Sequence, residues 1–117
     1  MAGDQRDELV GTWRLVAAES SEEVKREAPP GKVTWLKHVT ATQFTWLEYD
    51  SRTKQLVRAL GGSYVVKDDT YNETYRYYLG AGQEESVGKE DSFSWEIKDG
   101  KWYTTSSFGT TVWERVK

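Results

Sequence analysis

Six Trp, seven Tyr and three Phe stand in a chain of 117 residues of which 30% are charged. These large side chains do not recur at helical spacing. They come in short runs with β-branched neighbours, cut at intervals by Gly, Pro and Asp, which is the pattern of many short strands on a pleated, half-buried surface. The clearest case is Phe93, Trp95 and Ile97 alternating with Ser94, Glu96 and Lys98. Asp99-Gly100 follows directly, a strong signal for a type I′ hairpin, and Lys101 to Ser107 pairs back across it.

The same reading extends along the chain. Val10 to Ser20 is a strand with Trp13, Leu15 and Ala17 on one face. Residues Ser20 to Gly31 carry Glu22, Glu23, Lys25, Arg26 and Glu27 before Pro29-Pro30-Gly31, so they form a solvated crossing that is expected to be mobile. Lys32 to Thr40 and Gln43 to Asp50 make a hairpin through Ala41-Thr42. Gln55 to Val66 is a strand interrupted by Gly61-Gly62, where a bulge is expected to curl the sheet. Thr70 to Leu79 places Tyr71, Tyr75 and Tyr77 on one parity and Tyr78 on the other. Gly80 to Glu90 is rich in Gly and acidic residues and reads as an exposed, mobile loop. The last strand is Thr110 to Lys117. About eight strands in a meander, with no helix to cover a sheet face, predict an all-β fold: one antiparallel up-and-down barrel, closed because closure removes the edges. Residues 1–117 are expected to form that one domain.

Composition narrows the function classes. There is no cysteine, hence no disulfide framework and no Cys-based metal site. Lys and Arg number 16 against 19 acidic residues, a net charge of −3, and no basic block forms a phosphate-binding footprint, so no nucleic-acid partner is expected. No apolar run approaches the roughly 20 residues of a membrane helix. The opening MAGDQRDEL lacks the apolar stretch of a signal peptide, which fits either a cytoplasmic protein or a processed exported one. His38 is the single histidine, no nucleophile elbow is present, and no triad can be assembled; no catalytic residue, metal or cofactor is assigned. The sequence specifies no oligomeric state.

Gly11-Thr12-Trp13 at the head of the first strand and Trp113-Glu114-Arg115 in the last resemble the end motifs of short bacterial lipocalin-like domain proteins, within the calycin superfamily. The resemblance implies that Trp13 plugs one end of the barrel while Arg115 lays its guanidinium across the indole. Both are then structural, and the mouth lies at the other end.

An eight-stranded barrel is filled by side chains or holds one small ligand. Three readings fit: binding of a small hydrophobic or aromatic molecule, a filled structural barrel, or a barrel cyclase or isomerase without a motif. On the first, Trp35, Phe44, Trp46, Tyr64, Tyr75 and Trp95 form the wall. Arg58 and Glu73 are polar anchors and His38 an outlying candidate. Ionisable groups aimed into a barrel must find partners, because an unpaired buried charge is costly.

Overall fold

Among the described residues the alternating segments become eight strands, with one three-residue 3-10 turn beside them. The computed structural model describes residues 8–20, 32–80, 84–106 and 109–116. It contains β1 (Gly11–Ser20), β2 (Val33–Val39), β3 (Gln43–Asp50), β4 (Leu56–Lys67), β5 (Thr70–Leu79), β6 (Glu90–Lys98), β7 (Lys101–Ser106) and β8 (Gly109–Val116). Each pairs antiparallel with its successor, and β8 returns to pair with β1, so the sheet closes into an up-and-down barrel.

Local chemistry sets the turns. Asp99 and Gly100 have φ of 54° and 76°, the left-handed pair that a type I′ turn requires. Between β3 and β4, Asp50 Oδ1 accepts the amides of Arg52 (2.9 Å) and Thr53 (2.8 Å). Those backbone donors favour the charged form and hold the Asp50 carboxyl below its ordinary value of 3.8.

Three bulges decide which parity faces inward. In β1 an extra residue, Val16, lies between the Leu15 and Ala17 pairings to β8. Beyond it the parity reverses. Ala18 rather than Ala17 therefore shares the inner face with Leu15, and Ala17 is exposed, which corrects the simple alternation expected for this strand. A second bulge, at Val57, sits between the pairings Glu48↔Arg58 and Tyr49↔Leu56. The bulge anticipated at Gly61-Gly62 is present, but its extra residue is Arg76 on the partner strand: Gly61 pairs with Tyr77 and Gly62 with Tyr75. Hence β4 keeps its parity through the glycines, while β5 turns Tyr77 outward, away from the side of Tyr71 and Tyr75.

The glycine pair is demanded by close approach. A Cβ on Gly61 would overlap the Tyr77 ring, and one on Gly62 would overlap the backbone carbonyl of Thr74. On the other side of β5, pairing with β6 covers only Thr70 to Thr74. The chain between these strands is partly anchored: Glu84–Ser86 makes a short 3-10 turn, Tyr75 N–H donates to the Lys89 carbonyl (3.0 Å) and Gly88 N–H to the Tyr75 carbonyl (2.8 Å). Of the two segments expected to be mobile, residues 21–31 and 81–83 lie outside the described residues.

Candidate functional site

The start of β1 and the end of β8 build the closed end. Trp13 is fully buried, donates Nε1 to the Leu9 carbonyl (2.8 Å) and meets Trp102 edge-on at 5.5 Å. The Arg115 guanidinium lies 4.2 Å from the Trp13 ring, as the end motifs imply. It also donates to the carbonyls of Val10 (2.8 Å) and Glu8 (2.7 Å). Gly11 has a φ of 141°, and a Cβ there would come within 2.6 Å of the guanidinium. The Gly-x-Trp spacing is thus explained locally: glycine clears the space through which arginine reaches the indole.

Tyr64, Tyr71, Phe44 and Trp102 fill the interior behind this plug, with ring centroids 5.2 Å apart for both Tyr64–Tyr71 and Tyr71–Trp102. The interior is not filled throughout. In the half of the barrel toward the opposite end a cavity of about 290 Å³ remains, partly open to solvent. Cross-strand register stacks its β2–β3–β4 wall in rows: Trp35, Glu48 and Arg58 toward the mouth, then Lys37, Trp46 and Leu60, then Val39, Phe44 and Gly62 at the floor.

Two ion pairs lie along this wall. At the mouth, Arg58 pairs with Glu48 Oε1, which also accepts Trp35 Nε1 (3.1 Å), and the guanidinium stands 5.5 Å from the Trp46 ring. Trp35 and Trp46 pack edge-on at 5.2 Å. Deeper, Lys37 Nζ donates to Glu73 Oε2 (2.7 Å), and both side chains are almost wholly buried. The Tyr71 hydroxyl donates to the same oxygen (2.8 Å). The Tyr75 hydroxyl lies between Glu73 Oε1 (3.2 Å) and Asp91 Oδ2 (2.6 Å). Burial and these neighbouring carboxylates push both tyrosine hydroxyls well above their ordinary value of 10.0, so they are neutral donors. On the far wall Thr104 and Thr111 share a hydrogen bond, and Trp113 Nε1 donates to Thr111 Oγ1 (2.8 Å).

Six of the nine residues expected to form the pocket, Trp35, Phe44, Trp46, Arg58, Glu73 and Tyr75, line this one cavity. Three do not. Tyr64 has the inward parity but lies too near the closed end, where it is core and its hydroxyl donates to the Thr40 carbonyl (2.6 Å). Trp95 also points inward, yet the β5–β6 register carries it past Tyr71 toward the same end. His38 has the opposite parity to Trp35 and is exposed, with Nδ1 against Thr12 Oγ1 at 3.0 Å. The residue missed in its place is Lys37. Period two from Trp35 puts Lys37 inside and His38 outside, so that signal was present in the sequence. Tyr71, Phe93 and Trp113 were passed over too, because nothing local gives their height in the barrel.

Among the described residues no three His, Cys, Asp or Glu side chains cluster as a metal ion would need, and no helix is long and apolar enough to cross a membrane. No protein-family model matches the chain, and no curated protein matches it. Among solved structures, it is similar to a crystal structure of a mutant of the fluorescent protein UnaG, with 13% identity over 95% of this chain and 98% of that one and a TM-score of 0.49. That is a likeness of chain path alone. The closed, eight-stranded up-and-down barrel itself fits a calycin-type fold, the class to which the two end motifs point.

Proposed function

We propose that the protein binds a small, flat, uncharged organic molecule in the half-filled barrel. The observation that supports this reading is the cavity of about 290 Å³ walled by Trp35, Trp46, Phe44, Tyr75, Phe93 and Trp113. Its size is near the lower end of ligand pockets, roughly 300–1,000 Å³, and suits one or two fused or linked rings. Aromatic walls favour a flat apolar body. Charge selects against ions: Lys37 faces Glu73 and Arg58 faces Glu48, so each cation on the wall already has its counter-ion. An ionised ligand would have to displace one of these partners and leave it desolvated. The rim fits entry of an apolar guest, since Leu56, Val57, Tyr78 and Leu79 stand exposed where β4 begins and β5 ends.

Titration with the neutral dye N-phenyl-1-naphthylamine tests this directly. Saturable, one-to-one dye emission is expected, with quenching of the protein's tryptophans. Trp46→Ala should weaken binding about tenfold, corresponding to loss of about 1.4 kcal/mol of ring contact, while His38→Ala leaves it unchanged. Absence of saturable binding, or equal affinity in Trp46→Ala with the fold intact, would overturn the reading.

A further inference from the structure

We infer that Lys37 is a covalent capture site for carbonyl compounds, holding an aldehyde in the cavity as a protonated imine with Glu73 as its counter-ion. This rests on the ligand-binding reading above and names the ligand class. The geometry of one nitrogen carries it. Lys37 Nζ is a primary amine on the cavity wall, its side chain only 9% accessible, and Glu73 Oε2 is its hydrogen-bond acceptor among the described residues. Rings surround the nitrogen: the centroids of Trp113, Trp102, Tyr71, Phe44 and Phe93 lie 5.1 to 6.0 Å from it. Among the described residues the ammonium thus has one carboxylate oxygen and a cage of π faces around it.

A protonated imine fits the same environment. Condensation replaces two of the three N–H bonds with a C=N bond and keeps the third for Glu73. The positive charge stays on the same nitrogen, so the ion pair and the cation–π contacts survive. Atoms and charge balance without any other reactant. The ammonium hands one proton along the 2.7 Å hydrogen bond to Glu73; the freed amine attacks the carbonyl carbon; and the oxygen leaves as water with the two hydrogens lost from nitrogen. Glu73 returns its proton to the imine, so there is no net proton change. Tyr71 secures this exchange by donating to Glu73 Oε2, which keeps the carboxylate aimed at the nitrogen. Burial of the nitrogen, whose side chain is only 9% accessible, slows hydrolysis of the imine. The ligand class is therefore a flat, uncharged aldehyde with a conjugated or aromatic tail short enough for the cavity.

The probe is 4-(dimethylamino)cinnamaldehyde, incubated with the full chain and reduced with cyanoborohydride before intact-mass and peptide analysis; the corresponding alcohol is titrated in parallel. The expected result is a red-shifted band of the protonated imine and a single reduced adduct on Lys37. Modification there should be at least about tenfold faster than at any other lysine, because binding places the carbonyl at the amine. Lys37→Arg keeps the cation but cannot form the imine, so it should lose the adduct. Glu73→Gln should lower the pH at which the red band bleaches by about one to three units, the effect of removing a nearby opposite charge. An adduct spread over surface lysines, or an unchanged yield in Lys37→Arg, overturns the assignment; the wild-type peptide map decides by itself if a variant does not fold. Binding of alcohol and aldehyde without imine refutes the capture site and leaves the container reading standing. Binding of neither refutes the container, and the capture site with it.

Discussion

Arg115 shows how an exposed residue can be structural. It touches nothing in the cavity, yet its guanidinium covers the buried Trp13 and ties down two carbonyls before β1. Removing it takes away a cation–π contact and two charge-assisted hydrogen bonds, although solvent exposure weakens all three. Arg115→Ala should therefore lower the urea midpoint by about 1–3 kcal/mol equivalent without changing dye affinity. Arg115→Lys should recover little, because an ammonium cannot stack on the indole and fork to two carbonyls together. A dye affinity that fell in step with stability would show that the plug and the pocket are not separate.

At the scale of the strand, the β4–β5 contact shows why two adjacent glycines have different tasks. Gly61 faces outward beneath Tyr77, whose hydroxyl hydrogen-bonds with Thr45 Oγ1 (2.9 Å) and donates to the Phe44 carbonyl (3.3 Å). Gly62 faces the Arg76 bulge, where the obstacle is backbone. A ring can swing aside, but a carbonyl within a ladder cannot without breaking its pairing. Gly62→Ala should accordingly cost about 2–4 kcal/mol, at the upper end for single substitutions, and Gly61→Ala clearly less. Denaturant unfolding of the two variants checks the order. Equal losses would mean that β5 repacks as one body, so that the bulge is not the rigid point.

For the molecule as a whole, one end of the barrel is packed and a cavity lies toward the other, with Lys37, Glu73, Tyr71 and Tyr75 hydrogen-bonded on its wall. This layer makes stability depend on alkaline pH. Folding raises the titration of Tyr71 and Tyr75 above 10.0, so above that pH the native state keeps protons that the unfolded chain gives up. Stability from these groups is fully present below about pH 10. It falls beyond, by up to about 1.4 kcal/mol per pH unit for each tyrosine. Phenolate absorbance should show at least two of the seven tyrosines silent until the barrel unfolds cooperatively. If all seven titrate smoothly on a folded chain, the buried hydroxyl layer is wrong. On the acid side Asp50 acts in the opposite sense: its contribution is present above its ordinary value of 3.8 and is lost as pH falls below it.

What the residues determined alone was local. Alternation, Asp-Gly and the breaker residues define the strands and turns, because side-chain direction and turn geometry depend on near neighbours. The contact of Trp13 with Arg115 was expected only through the resemblance of the end motifs, and closure of the sheet by β1 and β8 makes it. Period two placed Trp35, and properly applied it places Lys37 inside and His38 outside. Tertiary structure alone decided the rest. A bulge depends on the partner strand as much as on its own, so Val16 and Arg76 reversed parities that Ala17 and Tyr77 could not announce. Height in the barrel depends on register across several strands, which is why Tyr64 became core and Trp95 packs partly buried against it, while the buried Trp113 became wall. Whether sixteen aromatics fill a barrel or leave space is a question of summed volume, and only closure of the sheet fixes the volume to be filled.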